Sequence, residues 1–199
     1  MAALDLGASG PQVLEKYNCL WMISRYWVEM DEPLYWNEDF TIRTWHRGTA
    51  PASTYRDFDI YKDGKVIGQA VSNWVMVDAD THKLFRMKNL TEFQGTDGGE
   101  LCKSLKLHRV KLPAAFDGQD RRPMRYSDTD INGHINNIHY ADFACDALHL
   151  ETCGQGKFVR NLQIGYVGEC RAGETLLIDT ARLGDDLYAR GQGEDGTER

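Results

Sequence analysis

The sequence predicts an α+β fold in which a helix and an antiparallel sheet occur together twice. Four strand-like runs between residues 22 and 77 are joined by short turns, whereas parallel strands would need long crossovers. A helix is predicted to end within 13–21, ahead of these runs. A second helix is predicted over 133–148, where apolar residues recur at helical spacing, and strand-like runs at 161–166 and 175–182 follow it.

The third run shows the strand pattern most clearly. Phe58 and Ile60 alternate with Asp57 and Asp59, which predicts a half-buried strand. Asp63-Gly64 follows and is typical of a tight hairpin turn.

The chain divides on composition into three parts. We predict an N-terminal half over 1–90, a linker or edge segment over 91–123, and a C-terminal half over 124–199. Residues 191–199 are polar, and we expect them to be disordered or cut short. Hydrophobic residues make up 42% of the chain and charged residues 27%, so a packed core is expected.

The charge distribution bears on partners. The net charge of −7 argues against a general nucleic-acid binder. Residues 103–125 nevertheless carry seven basic and two acidic side chains, a local charge of +5. This stripe fits an acidic partner or a phosphate, and it fits a solvated linker equally well.

Cysteine usage and hydropathy bear on location. The five cysteines include no CxxC pair, which favours free thiols in a reducing compartment. No apolar run approaches the roughly 20 residues that a membrane span needs, and the N-terminus does not look like a signal peptide. We therefore expect a cytoplasmic protein.

Reactive polar side chains are densest over residues 128–137, just before the apolar positions of the second predicted helix. Asp130 there is suited to orient or deprotonate a water, Asn132 to position a water or polarise a carbonyl, and His134 to exchange a proton near neutral pH. Backbone N–H groups at a helix start would stabilise an oxyanion. A plainer alternative is that Asp128 or Asp130 caps the helix.

A calcium loop is a further alternative for the same segment. The run from Asp128 to Gly133 matches the first half of an EF-hand, but the twelfth position is His139 where a bidentate glutamate is needed. His134 and His139 are five residues apart, which is a poor spacing for two ligands on one helix face. We predict no metal and no cofactor.

The stretch Asp128–Tyr140 resembles the signature of plant and bacterial acyl-acyl carrier protein (acyl-ACP) thioesterases, D-x-D-x-N-x-H-V-N-N-x-x-Y. Four further stretches resemble the same family in the same order: Trp21–Arg25, Thr44-Trp45, Ser72–Asp78, and Tyr166 with Glu169-Cys170.

This resemblance implies a tandem double hotdog fold and hydrolysis of the thioester between a fatty acyl chain and acyl carrier protein. It carries the catalytic roles over to Asp130, Asn132, His134 and Glu169, and it places the acyl pocket largely in the N-terminal half. It also implies that the first copy lacks its opening strand and much of its helix, and that the second copy lacks its final strand.

Two mechanisms fit these residues. In the first, Glu169, or Asp130 if Glu169 points away, activates a water. In the second, Cys170 is the nucleophile with His134 as its base. Neighbours on a strand point to opposite faces, so Cys170 faces away if Glu169 faces the site, and we favour the water mechanism. An acyl-CoA thioesterase, a hydratase and a non-catalytic acyl-binding module remain alternative functions.

Substrate contacts are predicted in both halves. Met22, Trp74 and Met76 are expected to touch the acyl chain, although tryptophans are more often core residues. Arg121 and Arg122 are expected to meet the acyl carrier protein. A homodimer is also expected, because a half-open hotdog leaves sheet edges uncovered.

Overall fold

The structure, a computed structural model, describes residues 3–90, 92, 107–130, 133–154 and 156–199. In chain order its helices and strands are α1 (Gly10–Tyr17), β1 (Cys19–Met30), β2 (Thr41–Thr49), β3 (Thr54–Lys62), β4 (Lys65–Asp78), β5 (Gly118–Pro123), α2 (His139–Ala147), β6 (Asn161–Gly165), β7 (Thr175–Leu183) and β8 (Asp186–Gly193). Among the described residues, no helix has the length and apolar character of a membrane span.

The chain forms two compact units. The first contains Met1–His108 and Phe158–Gly165, and the second contains Arg109–Lys157 and Tyr166–Arg199. The two units are not continuous in the sequence. Strand β6, which the sequence placed with the second half, pairs with β1 in the sheet of the first unit.

The first unit is built on a five-stranded sheet in the order β2-β3-β4-β1-β6. All of its pairings are antiparallel, as the short turns predicted. Asp63 and Gly64 turn the chain between β3 and β4 with φ values of 50° and 77°, which are the left-handed values that a tight hairpin turn requires.

Helix α1 ends inside the predicted segment. The helix was expected to end within 13–21, and it stops at Tyr17 before β1 begins at Cys19. Asn18 takes a left-handed conformation with φ 52°, and its N–H donates to the Leu14 carbonyl, which closes the helix. Val13 then packs against Cys19 in a buried cluster.

Strand β3 was predicted correctly, but its buried face is the acidic one. Asp57 is 0% exposed and Asp59 is 8% exposed, whereas Phe58 and Ile60 are only half-buried. The cost of burying two carboxylates is offset by partners, since the Arg47 guanidinium donates to Asp57 and the Gln69 amide donates to Asp59 at 2.7 Å.

The second unit holds a three-stranded antiparallel sheet in the order β5-β7-β8. Strand β5 lies in the segment that the sequence assigned to a linker, and it pairs with β7 from Gly118 to Pro123. Its side chains are mostly exposed, so the strand is defined by its backbone hydrogen bonds. The sequence did not predict it because it has no alternating apolar pattern. Phe143 and Ala147 of α2 pack into a buried cluster with residues of β7.

The last residues are ordered, contrary to the prediction. Strand β8 runs to Gly193, and the chain then reverses so that Gln192 bridges Glu198. The Arg199 N–H donates to the Gly191 carbonyl at 3.1 Å, which ties the returning segment to β8.

Candidate active site

His134 and Glu169 meet in the second unit. The distance from His134 Nε2 to Glu169 Oε2 is 3.6 Å, and the two side chains are 29% and 38% exposed. This distance suits an ion pair but exceeds that of a direct hydrogen bond. Both groups are therefore able to contact one small polar molecule.

Backbone pairing fixes the two segments that carry these side chains. His134 forms an antiparallel bridge with Arg171, and the Ile135 N–H donates to the Cys170 carbonyl at 3.1 Å. Segments that are 35 residues apart in the sequence are thereby held side by side, so that Glu169 lies next to the histidine.

Asp130 shapes the turn that leads into His134. Its Oδ1 accepts the His134 N–H at 3.2 Å, and its own N–H donates to the His134 carbonyl at 2.8 Å. Gly133 reverses the chain between them with φ 78°. The predicted Asn132 lies outside the described residues.

The predicted start of the second helix is wrong. Helix α2 begins at His139, six residues after the predicted position 133. The N–H groups of Ile135 and Asn136 are already bonded to carbonyls, and that of Ile138 donates to the Asn136 side chain. These amides belong to a bridge and a turn, so they do not form the expected oxyanion site at a helix start.

Cys170 faces away from this site. It is 2% exposed and belongs to the buried cluster of the second unit. Burial raises the pKa of its thiol. Its neighbour Glu169 is exposed. The two side chains therefore point in opposite directions, as neighbouring side chains in an extended segment do.

Tyr140 also reaches this segment, although no role was predicted for it. Its hydroxyl accepts the Cys170 N–H at 3.1 Å, and burial raises the pKa of the phenol. Tyr140 is the last residue of the motif, but nothing in its spacing indicates a partner 30 residues later.

The three predicted acyl contacts do not share one face of the first sheet. Met22 pairs directly with Val75, so it lies on the face opposite to Trp74 and Met76. Met76 is 0% exposed within a core cluster, and the half-buried Trp74 donates its indole N–H to the Ser72 hydroxyl at 2.8 Å.

Arg121 and Arg122 differ in their surroundings. The Arg121 side chain is 61% exposed and pairs with Glu194. Arg122 is 34% exposed, lies 3.7 Å from Asp128, and stacks its guanidinium 4.5 Å from the ring centre of Phe143. Within the described part of the chain, no group of three His, Cys, Asp or Glu residues is placed to hold a metal ion.

Comparison with known families decides the class of protein. The family model for the acyl-ACP thioesterase N-terminal domain matches residues 2–92, and the model for the C-terminal domain matches residues 116–195. The chain belongs to the acyl-ACP thioesterase family. The family resemblance predicted from the sequence is thus confirmed, and His134 and Glu169 both lie in the part that matches the C-terminal domain.

Solved structures of acyl-ACP thioesterases have the same fold. One from Bacteroides thetaiotaomicron is 28% identical, with a TM-score of 0.88 over 98% of this chain and 79% of that one. A 12:0-ACP thioesterase from Umbellularia californica is 17% identical, with a TM-score of 0.84 over 98% of this chain and 80% of that one. The tandem-hotdog class is therefore confirmed for this acyl-ACP thioesterase family member.

Curated relatives are longer. An oleoyl-acyl carrier protein thioesterase from Arabidopsis thaliana, described as chloroplastic, is 25% identical over 202 residues. The match covers 92% of this chain and 53% of that protein. The family member described here thus spans about half the length of the curated relatives that it matches.

Proposed function

We propose that this chain hydrolyses fatty acyl thioesters of acyl carrier protein and releases the free fatty acid. The observation that carries the proposal is the 3.6 Å approach of Glu169 to His134, in a part of the chain that matches the family's C-terminal domain. A carboxylate and an imidazole that are both partly exposed are suited to handle a water and a carbonyl group together.

The proposed reaction starts with a water bound between these two side chains. Glu169 takes a proton from the water, whose oxygen attacks the thioester carbonyl carbon. The carbonyl oxygen becomes an oxyanion, which then collapses and breaks the carbon–sulfur bond. The departing thiolate receives the proton from Glu169, so the products are the fatty acid and the free thiol of the carrier.

Asp130 and His134 have separate parts in this proposal. His134 donates a hydrogen bond to the water or the oxyanion, and the family resemblance assigns Asn132 a part in the same step. Asp130 holds the turn, because its carboxylate accepts the His134 N–H. Glu169 is therefore preferred over Asp130 as the base.

The thiol of Cys170 is a poor nucleophile in this arrangement. It is buried in the core, its pKa is raised, and its direction is opposite to that of Glu169. Thiolate formation at neutral pH would need a lowered pKa, and attack on the thioester would need the thiol to face the site. The water mechanism is thus the better supported of the two.

The test compares three variants on acyl-ACP, with release of the carrier thiol as the readout. Glu169→Gln and His134→Gln should each lower kcat by about 100-fold or more, because general acid–base groups typically contribute that much. Cys170→Ala should keep most of the activity. Loss of activity in Cys170→Ala with retention in Glu169→Gln would reverse the assignment.

Two further measurements address the other functions. Acyl-CoA carrying the same chain should be hydrolysed with a lower kcat/KM than acyl-ACP if the carrier is recognised. A chain that binds acyl-ACP but releases no thiol above the rate in buffer would be a binding module, and the proposal would be abandoned.

Location and assembly remain predictions from the sequence. We infer a cytoplasmic protein that pairs with a second copy, and β2 is an outer strand of the first sheet to which such pairing is open. Sedimentation velocity on the purified chain gives the oligomeric state directly.

A further inference from the structure

The peptide group between Glu169 and Cys170 is held from the side of α2. Its N–H, which belongs to Cys170, donates to the hydroxyl of Tyr140 at 3.1 Å. Tyr140 is the second residue of α2, so a hydroxyl on a regular helix contacts the backbone directly beside Glu169.

The rest of Cys170 is already fixed. Its carbonyl accepts the Ile135 N–H at 3.1 Å, and its thiol lies in the buried cluster with Phe143. The Tyr140 hydroxyl holds the remaining backbone group of Cys170, which is the N–H of the peptide that joins it to Glu169. The orientation of this peptide plane sets the backbone ψ angle of Glu169, and therefore the direction from which its carboxylate approaches His134.

Tyr140 is itself firmly held. Its ring meets that of Tyr166 edge-on, with centroids 6.0 Å apart and planes at 87°, and lies 6.1 Å from that of Phe143. Burial raises the pKa of its hydroxyl, and the Glu169 charge acts in the same direction. The phenol therefore stays neutral, and a lone pair of its oxygen accepts the Cys170 N–H.

We propose that Tyr140 is a positioning residue for thioester hydrolysis, because its hydroxyl orients the peptide that aims the Glu169 carboxylate at His134. This inference rests on the proposed function and acts through Glu169 alone. Tyr140 is not assigned any contact with substrate.

The test is Tyr140→Phe, which keeps the ring and removes the hydroxyl. We expect kcat on acyl-ACP to fall about tenfold, since small misplacements of catalytic groups are costly, while KM changes less than about twofold. In a Glu169→Gln background the same substitution should change kcat less than about twofold, because the group that Tyr140 positions is already lost.

Tyr166→Phe is the matched control. It removes a hydroxyl from the same aromatic group, and this hydroxyl donates to the Asn137 carbonyl at 3.2 Å. Its effect on kcat should be the same with glutamate or glutamine at 169. A Tyr140→Phe effect that is equally independent of residue 169 would reduce Tyr140 to a structural role and overturn the proposal.

A crystal structure of Tyr140→Phe decides the question independently of residual activity. We expect His134 Nε2 and Glu169 Oε2 to separate beyond 4 Å, and an unchanged distance of 3.6 Å would overturn the proposal. Failure of the proposed function and failure of this inference give different results. If the proposed function fails, the unmodified chain releases no thiol. If only this inference fails, the unmodified chain is active and the Tyr140→Phe variant has an equal kcat.

Discussion

Arg47 and Asp57 form an ion pair on the first sheet, with Arg47 Nε 2.9 Å from Asp57 Oδ2 and no part of the Asp57 side chain exposed. Arg47→Ala should destabilise the protein by about 3–5 kcal/mol, because a buried carboxylate would lose its cation. Urea unfolding measures this change. Lys65→Ala, which removes an exposed pair with Glu32, should cost less than about 1 kcal/mol. Equal effects of the two substitutions would contradict the assigned burial of Asp57.

The burial of Asp57 also explains what the sequence could not predict about the fold. Alternation along β3 indicates that its two faces differ, but it does not identify the covered face. Asp57 pairs with Val71, which packs with Trp27 and Leu107 in a buried cluster. Leu107 lies outside the helices and strands. The face of β3 that carries Asp57 is therefore covered by a segment whose position cannot be predicted from a periodic sequence pattern.

The candidate site was predictable in part. The family resemblance brought His134 and Glu169 together, and the structure places them 3.6 Å apart. The helix start was misplaced because Ile135 has helical spacing from Ile138 but is buried in a segment that bridges Thr129 and donates its N–H to the Cys170 carbonyl. Long-range pairing decided the local conformation, and the local sequence does not contain that information.

Thiol reactivity tests the orientation of Cys170. Burial raises the pKa of the Cys170 thiol and limits access to it. In native protein at pH 8.5, iodoacetamide should therefore alkylate Cys170 more than about tenfold slower than Cys153, which is partly exposed. Mass spectrometry of the two peptides gives both rates, and the difference should vanish in urea. Native Cys170 reacting as fast as Cys153 would return it to consideration as a nucleophile.

Arg121 and Arg122 should differ in their contribution to stability. Arg122→Gln leaves Asp128, whose side chain is 9% exposed, without its nearby cation and removes the stacking on Phe143, so we expect a loss of about 1–3 kcal/mol. Arg121→Gln breaks an exposed pair and should cost less than about 1 kcal/mol. Thermal unfolding of both variants checks this order.

Carrier recognition is tested separately with Arg121→Glu, which spares the interior. If this arginine meets an acidic carrier, KM for acyl-ACP at low salt should rise about threefold to tenfold, and the effect should shrink as salt screens the charges. Arg182→Glu makes the same charge change at an exposed position outside the basic stripe and should leave KM nearly unchanged. No change in KM for Arg121→Glu at low salt would remove this contact from the proposed function.

Asp179 should make the second unit sensitive to acid. Hydrogen bonds from Arg190 and Gln119 lower the pKa of its carboxyl below the ordinary value of 3.8, and the Arg190 Nη2 contact is 2.6 Å long. The native state therefore binds fewer protons than the unfolded state in this range. Its stabilisation is present above the unfolded pKa and is lost as the pH falls through the lower native pKa.

Asp179→Asn and Arg190→Gln should consequently flatten the dependence of unfolding free energy on pH between about pH 5 and 2, while each lowers stability at neutral pH by about 1–3 kcal/mol. Urea unfolding at a series of pH values measures both effects. Asp179→Asn should flatten the slope more, because Arg190→Gln leaves a carboxyl that still titrates and still accepts the Gln119 hydrogen bond. A slope as steep as that of the unmodified chain in both variants would show that another carboxylate governs acid unfolding.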